Sequence, residues 1–382
     1  MQDTLNASNG PADSVLERWH RHAAAAALGL VVLAGASQYV LALASGKPIE
    51  FPHGIDAFRD GRMTGAIEKS LDKAMPQRAD IIAFANALRW RITGGANDQV
   101  RLGRDGWIFL TEEVQFDDHG QEQLAARVAL LQQTRQALAK KQVELVVAVV
   151  PDKARIYAEW VQGGYPSYLQ GRYTAALDGL RNAGVPVVDL VTPLTQAGRT
   201  KPVYYRTDTH WNQDGAEIAA QAIAKQIQSM LAGAGDTRFE TAPQGPEGER
   251  PGDLLRLMGL ESVPNGWRPL PDRETPRATS QVSQDAAVGL FGDAAVPVVL
   301  TGTSYSQRGN FHGALQQALS RKVLNVSKDG GGFLQATTAY LKDEAFTSAP
   351  PNVLVWELPE RFLYRPLGEE KDWLRSVGLV GP

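Results

Sequence analysis

The chain opens on polar residues, and from Ala23 to Gly46 it carries no charge at all (AAAAALGLVVLAGASQYVLALASG). At ~1.5 Å per residue a helix of this run is long enough for a bilayer core of ~30 Å. The pattern predicts a membrane span at residues 23–46, preceded by a tail at residues 1–22 and followed by one large domain, 47–382. The long lead favours a retained anchor over a cleaved signal peptide, although Ala42-Leu43-Ala44 offers small residues for cleavage. Arg18 and Arg21 before the run are matched by Lys47, Arg59 and Arg62 after it, so the positive-inside rule gives no orientation.

Beyond residue 80 the apolar positions switch between two periods. Leu124, Val128, Leu131 and Leu138 share a helical face, as do Ala219, Ile223, Ile227 and Leu231. Between such segments lie short β-branched runs: Glu144–Val150 (ELVVAVV), Val185–Leu190, Val296–Leu300, Lys322–Val326 and Val353–Trp356. Further helices are predicted over Tyr173–Asn182, Phe311–Leu319 and Leu334–Leu341. Strands that are apolar on both faces and alternate with helices predict an α/β fold around a mostly parallel sheet. Residues 237–278 break the rhythm with seven prolines and several glycines. They predict an insertion, either a passive surface loop or one that borders a site.

Composition narrows the chemistry. Of 382 residues, 43% are hydrophobic and 21% charged, as expected of a globular chain. A net charge of −3 argues against a nucleic-acid binder that works by neutralising phosphates. The absence of cysteine removes thiolate nucleophiles, thiolate metal sites and redox dithiols. No phosphate-binding or dinucleotide fingerprint is present, and Gly330-Gly331-Gly332 lacks the spacing of one. No cofactor is expected.

Two constellations carry chemistry. In Tyr205-Arg206-Thr207-Asp208-Thr209-His210-Trp211-Asn212, an aspartate two residues before a histidine shares its face in extended backbone, so it can orient and stabilise the imidazole. Asp214 and Glu217 are the expected capping box of the helix that follows. His210 is therefore expected on a loop between a strand and that helix. In Val298–Ser306 (VVLTGTSYS), a buried strand ends on Gly302 and a hydroxyl, Ser304, follows where the chain turns toward a helix. That placement suits a nucleophile with backbone N–H groups nearby. Together they predict Ser304–His210–Asp208 chemistry. A metal site built on Asp208 and His210 lacks a third ligand at a supporting spacing, and none is expected. His312 is expected to be a partly buried helix residue.

These residues carry a family resemblance. Val100–Glu113 (VRLGRDGWIFLTEE), Val150–Tyr157 (VPDKARIY), Thr207–Asn212 (TDTHWN), Gly302–Ser306 (GTSYS) and Trp356–Arg361 (WELPER) resemble, in order, the AlgX/AlgJ family of bacterial exopolysaccharide O-acetyltransferases, relatives of the SGNH hydrolases. The resemblance covers about residues 60 to 365. It implies an SGNH-hydrolase-like fold whose motif order looks circularly permuted, with Asp–His before serine. The Asp–His spacing is shorter by one than in the SGNH pattern, and Glu357 stands where the third block has asparagine. The oxyanion donors are therefore not carried over; Ser304 or Tyr305, with Gly331 of the glycine loop, are the candidates. Trp211, Arg206, Lys153 and Arg361 are the candidate substrate contacts, with buried packing the alternative for Trp211, contact to a neighbouring carboxylate for Lys153, and an ion pair with Glu357 or Glu360 for Arg361.

The resemblance further implies an acetyl group passing through Ser304 to hydroxyls of a secreted polysaccharide of alginate or cellulose type. It implies a membrane-bound O-acyltransferase as acetyl supplier, and an inner-membrane anchor with the catalytic domain in the periplasm. The layout is similar to the anchored AlgJ or cellulose-acetylating WssI type, without a carbohydrate-binding module. Two other readings remain open: an acetylesterase with the same three residues, and a non-catalytic assembly protein.

Overall fold

The computed structural model describes residues 55–66, 78–282 except 96, and 296–380 except 369 and 371, with isolated positions at Gly29, Leu33, Ser37, Val40 and Lys69. The predicted span and the Ala42–Ala44 cleavage site lie outside the described residues, apart from the isolated helical positions Gly29, Leu33, Ser37 and Val40. Among the described residues no helix is long and apolar enough to cross a membrane. The chain divides into two units at Ala85/Asn86. The first contains the short helix Ile55–Arg59, with buried Ala57.

The second unit is built around a parallel five-stranded sheet. The strands are β3 (Glu144–Val150), β4 (Val187–Val188), β9 (Val298–Thr301), β10 (Val323–Asn325) and β11 (Val353–Pro359), in the order β10-β9-β11-β3-β4. Strands β1 (Val100–Leu102) and β2 (Ile108–Leu110) form a separate hairpin. The last strand lies between β9 and β3, pairing Val353 with both Val298 and Glu144.

Alternation along the strands splits the core in two. Val146, Ala148, Val150, Val298, Leu300, Val353 and Val355 face one way, toward Ala216, Ala220 and Ile223 of the helix Gln213–Ile227 and Phe311 and Leu315 of the helix Phe311–Leu319. Leu145, Val147, Val149, Val299, Leu354, Trp356 and Leu358 face the other way, toward the helices Gly120–Ala139 and Arg172–Asn182. Strands covered on both sides explain the apolar runs Leu145–Val150 of β3 and Val353–Trp356 of β11.

The 237–278 insertion is not irregular. Strand β5 (Phe239–Pro243) pairs with β8 (Arg277–Gln281), and nested between them β6 (Gly248–Arg250) pairs with β7 (Asp272–Glu274). The short helix Asp253–Leu257 sits in the inner connection.

Candidate active site

Three chain segments leave the carboxyl edge of the sheet side by side, after β3, β9 and β11. In open α/β sheets this edge is where ligands bind. The turn after β9 is shaped from beneath. Gly302 has φ +152°, and a Cβ there would stand 2.6 Å from the Glu357 carbonyl oxygen and 2.6 Å from its Oε2. Only glycine lets the strand end approach so closely. Thr303 then caps a single 3-10 turn, Ser304–Gln307, its Oγ1 accepting from the Tyr305 amide at 3.3 Å. Ser304 is half-buried at the head of this turn, with Thr303, Tyr305 and Ser306 buried around it.

His210 arrives from the other side, 94 residues earlier in sequence. Its Nε2 lies 2.7 Å from Ser304 Oγ, and its Nδ1 lies 2.6 Å from Asp208 Oδ1. The carboxylate can only accept, so Nδ1 carries the proton and Nε2 is free to accept from the serine hydroxyl. Asp208 Oδ1 also accepts from the His210 backbone amide at 2.9 Å, the tight turn that the two-residue spacing allows. Burial works to raise the Asp208 carboxyl. The hydrogen bond and charge of His210 and the nearby Arg250 guanidinium outweigh it and hold the group well below the usual carboxylate range. The three residues expected from sequence thus meet in space. The loop that holds Asp208 and His210 differs from the expectation in its surroundings: the helix Val191–Gly198 precedes it rather than a sheet strand, with only a Tyr204–Trp211 bridge. The helix after it is capped by Asn212, whose side chain accepts from Gly215 N at 2.9 Å. Asp214, expected in a capping box, instead pairs with Arg277 at 2.7 Å and Lys201 at 3.3 Å.

Two buried cations pin the site from behind. Lys153 is fully buried and its Nζ donates to the backbone carbonyls of Tyr205 at 3.0 Å, Arg206 at 3.1 Å and Asp208 at 2.7 Å. Burial pulls its ammonium down to about 8. Arg361 is buried over the Tyr305 ring, 3.2 Å from Asp152 Oδ1. Both were candidates for substrate contact; the structure seats both inside the protein, because each has backbone or carboxylate partners to satisfy there. Glu360 pairs with Arg155 at 2.5 Å rather than with Arg361. Trp211 is fully buried against Phe311 and Tyr305, so it packs beneath the loop. Arg206 remains half-buried, lining a cleft of about 620 Å³ with Asp272, Arg273 and Glu274. His312 is the partly buried helix residue expected, its Nε2 2.7 Å from the Val323 carbonyl.

The expected oxyanion donors fare differently. The Tyr305 amide points to Thr303 Oγ1, and the Gly331 amide donates to the Lys328 carbonyl at 3.1 Å. Both are spent on their own turns. Tyr305 contributes otherwise: its hydroxyl donates to the Thr209 carbonyl at 2.8 Å, tying the serine turn to the histidine loop.

Sequence reasoning missed two residues, both in the insertion. Arg250 Nη1 lies 2.8 Å from Asp208 Oδ2, while its guanidinium stacks 3.8 Å over the Tyr205 ring. Asp253 accepts from the Thr209 amide at 2.7 Å, and its Oδ2 lies 3.6 Å from His210 Nδ1. The signal was the Arg-Pro-Gly-Asp run at 250–253, two opposite charges flanking a turn just before Leu254-Leu255. Asp253 is the third potential ligand that sequence spacing did not reveal, and with Asp208 and His210 it places ligand atoms within 4.8 Å of one another. The donors do not fit a cation: Arg250 occupies Asp208, the Thr209 amide and hydroxyl occupy Asp253, and both His210 nitrogens are engaged.

Residues 100–360 match the family described as SGNH hydrolase-like domain, acetyltransferase AlgX. The chain belongs to the AlgJ/AlgX family. It is 36% identical over 310 residues to the probable alginate O-acetylase AlgJ of Pseudomonas putida, covering 80% of each chain. Against the AlgJ of Pseudomonas aeruginosa it is 36% identical over 339 residues, 84% of this chain and 86% of that one. Among solved structures, the O-acetyltransferase domain of P. putida AlgJ superposes with a TM-score of 0.64 at 36% identity, over 73% of this chain and 98% of that domain. Pseudomonas aeruginosa AlgX shares the fold, with a TM-score of 0.56 at 24% identity over 73% of this chain and 66% of that one. The AlgJ/AlgX relationship agrees with the sheet, the order of the motifs and the SGNH-like architecture.

Proposed function

We propose that this protein transfers acetyl groups through Ser304 to hydroxyls of a secreted polysaccharide, with an alginate-type polyuronate as the favoured acceptor. The observation that carries this reading is the continuous chain from Ser304 Oγ through His210 to Asp208, in a member of a family of acetyltransferases. The names of the AlgJ relatives favour a polyuronate over cellulose.

In this reading His210 Nε2 takes the proton of Ser304 as its Oγ attacks the carbonyl carbon of an acetyl donor. The tetrahedral adduct collapses, the leaving group takes that proton, and acetyl-Ser304 remains. A sugar hydroxyl then attacks the ester, His210 again accepting the proton and returning it to Ser304 Oγ. Asp208 keeps the imidazole in the required tautomer and stabilises it when charged. Base assistance of this kind contributes roughly 10²–10⁴-fold. Transfer prevails over hydrolysis where the bound sugar places a hydroxyl in attacking position. Arg206, at the cleft beside the histidine loop, is the cation offered for the acceptor. The reading carries with it an anchor at residues 23–46, a periplasmic catalytic domain and a membrane-bound O-acyltransferase as acetyl supplier.

The test incubates the full-length protein with a chromogenic acetyl ester and either mannuronate or cello-oligosaccharides, alongside Ser304→Ala. Serine-dependent acetylated mannuronate is expected, with acetyl trapped on the Ser304 peptide. Serine-dependent acetate without acetylated sugar would make it an esterase. Unchanged polymer acetylation by Ser304→Ala in cells would leave only an assembly role.

A further inference from the structure

The insertion reaches the reacting residues with backbone as well as side chains. The Thr207 carbonyl accepts from the Leu254 amide at 3.2 Å, and the Asp253 amide donates to Asp208 Oδ2 at 3.2 Å. Gly252 lies so close that a Cβ there would run into the Thr207 carbonyl. Glu274 closes the circuit, 3.1 Å from Arg250 Nε, while it accepts from the Tyr205 hydroxyl at 2.7 Å. Asp272 accepts from the Arg206 amide at 2.8 Å and the Thr207 amide at 2.9 Å. So three of the insertion's elements, β6, the helix Asp253–Leu257 and β7, grip the segment Tyr205–His210.

We propose that Arg250 and Asp253 are positioning residues for the His210 base, which makes the 237–278 insertion part of the reacting unit. The inference rests on the acetyl-transfer reading above. Arg250 fixes the second oxygen of Asp208 and, as a cation, offsets part of the charge that stabilises a protonated His210. Asp253 fixes the Thr209 amide between the two and supplies a second negative charge 3.6 Å from Nδ1. The two act on His210 with opposite sign. The other groups facing the imidazole are Asp208 in its own loop, Glu357 from β11, the Tyr305 ring, and Lys153 through the Asp208 carbonyl. These stay constant when Arg250 or Asp253 is changed.

The experiment measures kcat/KM against pH for the chromogenic ester with the full-length protein. Arg250→Gln is expected to move the acidic limb to higher pH by about half a unit to one unit, since the protonated imidazole loses a repelling cation. Asp253→Asn is expected to move it down by a similar amount. The double variant is expected to return toward the wild-type limb, and Arg250→Lys to stay near it. A purely structural role would lower kcat without opposed displacements. Limbs that overlay the wild type, or that move in the same direction, would overturn the proposal. If Arg250→Gln fails to fold, Asp253→Asn still carries a sign against the unmoved Arg250→Lys limb, and a limb that stays in place or moves up would overturn the proposal. Activity abolished by a chelator and restored by zinc would overturn it in favour of a metal site. Serine-independent ester cleavage would instead strike the acetyl-transfer reading, which the Ser304→Ala control reads separately.

Discussion

Glu357 accepts from both the backbone amide of Thr303, at 2.7 Å, and its hydroxyl, at 3.0 Å, across 54 residues of sequence. The same carboxylate takes the Ser306 hydroxyl at 3.0 Å. It thus brackets Ser304 on both sides without touching its hydroxyl. Its work here is to hold the turn that presents Ser304. Burial raises its carboxyl, while the hydrogen bonds from Thr303 and Ser306 oppose that rise.

Replacing this acceptor with Gln turns an NH₂ toward donors that need an oxygen. Glu357→Gln is expected to cost about 1.5–3 kcal/mol of stability, the range for a hydrogen bond to a charged group. Acyl-enzyme formation should fall at least tenfold. Thermal melting and the burst of chromogenic product check both, and an unchanged burst would show that the turn does not depend on Glu357.

Lys153 makes its contribution through three carbonyls. Lys153→Met is expected to destabilise the protein by about 3–5 kcal/mol, as for removal of one partner from a buried charged cluster. In any variant that folds, kcat should fall while the acceptor KM stays within about twofold. A rise in acceptor KM at constant kcat would return Lys153 to the role of substrate contact.

Arg206 is the contrasting case, because its side chain borders the cleft. Arg206→Ala is expected to raise the KM for mannuronate about tenfold, equivalent to ~1.4 kcal/mol of binding. Acetate release from the ester should fall by less than transfer does. Equal losses in the two assays would place Arg206 with the scaffold.

Glu113 supplies a pH signature. Its carboxyl is fully buried, and burial, reinforced by the Asp152 charge, pushes it up to about 8. Its folded value is above its unfolded value of about 4.3. The folded state therefore holds a proton that the unfolded state has lost, and this contribution declines as pH rises from about 4.3 to about 8. Asp208, held low, contributes in the opposite sense: its stabilisation is present above about 3.9 and is lost as pH falls. Glu113→Gln should flatten the decline on the alkaline side of the stability profile. Denaturant unfolding across pH 5–9 measures it, and a wild-type profile already flat there would contradict the assignment.

Locality decides which elements are legible in the sequence. β3 is readable to the residue, since its six buried residues Leu145–Val150 leave a continuous apolar signature behind the exposed Glu144. Val185–Leu190 shortens to a two-residue edge strand, because only Val187 and Val188 find ladder partners on β3. Asp208 and His210 are legible through their two-residue spacing, and Ser304 through the strand-glycine-hydroxyl pattern. Lys153 and Arg361 stay open in the sequence between substrate contact and a structural partner, because sequence shows a charge at a strand end but not the carbonyls or carboxylate folded around it. Arg250 and Asp253 are hidden for a related reason. Their partners lie about forty residues away in a segment whose prolines mask two small antiparallel sheets.

The position of β11 has a consequence for biosynthesis. It separates β9 from β3, so those two strands share no ladder until residues 353–359 slot between them, more than two hundred residues after β3 has been made. Such distant pairing is slow to close. Until then the strand end that carries Ser304 lacks both its central neighbour and the Glu357 carboxylate under its turn. A nascent chain that has not yet placed residues 353–359 therefore lacks the support on which the Ser304 turn is built.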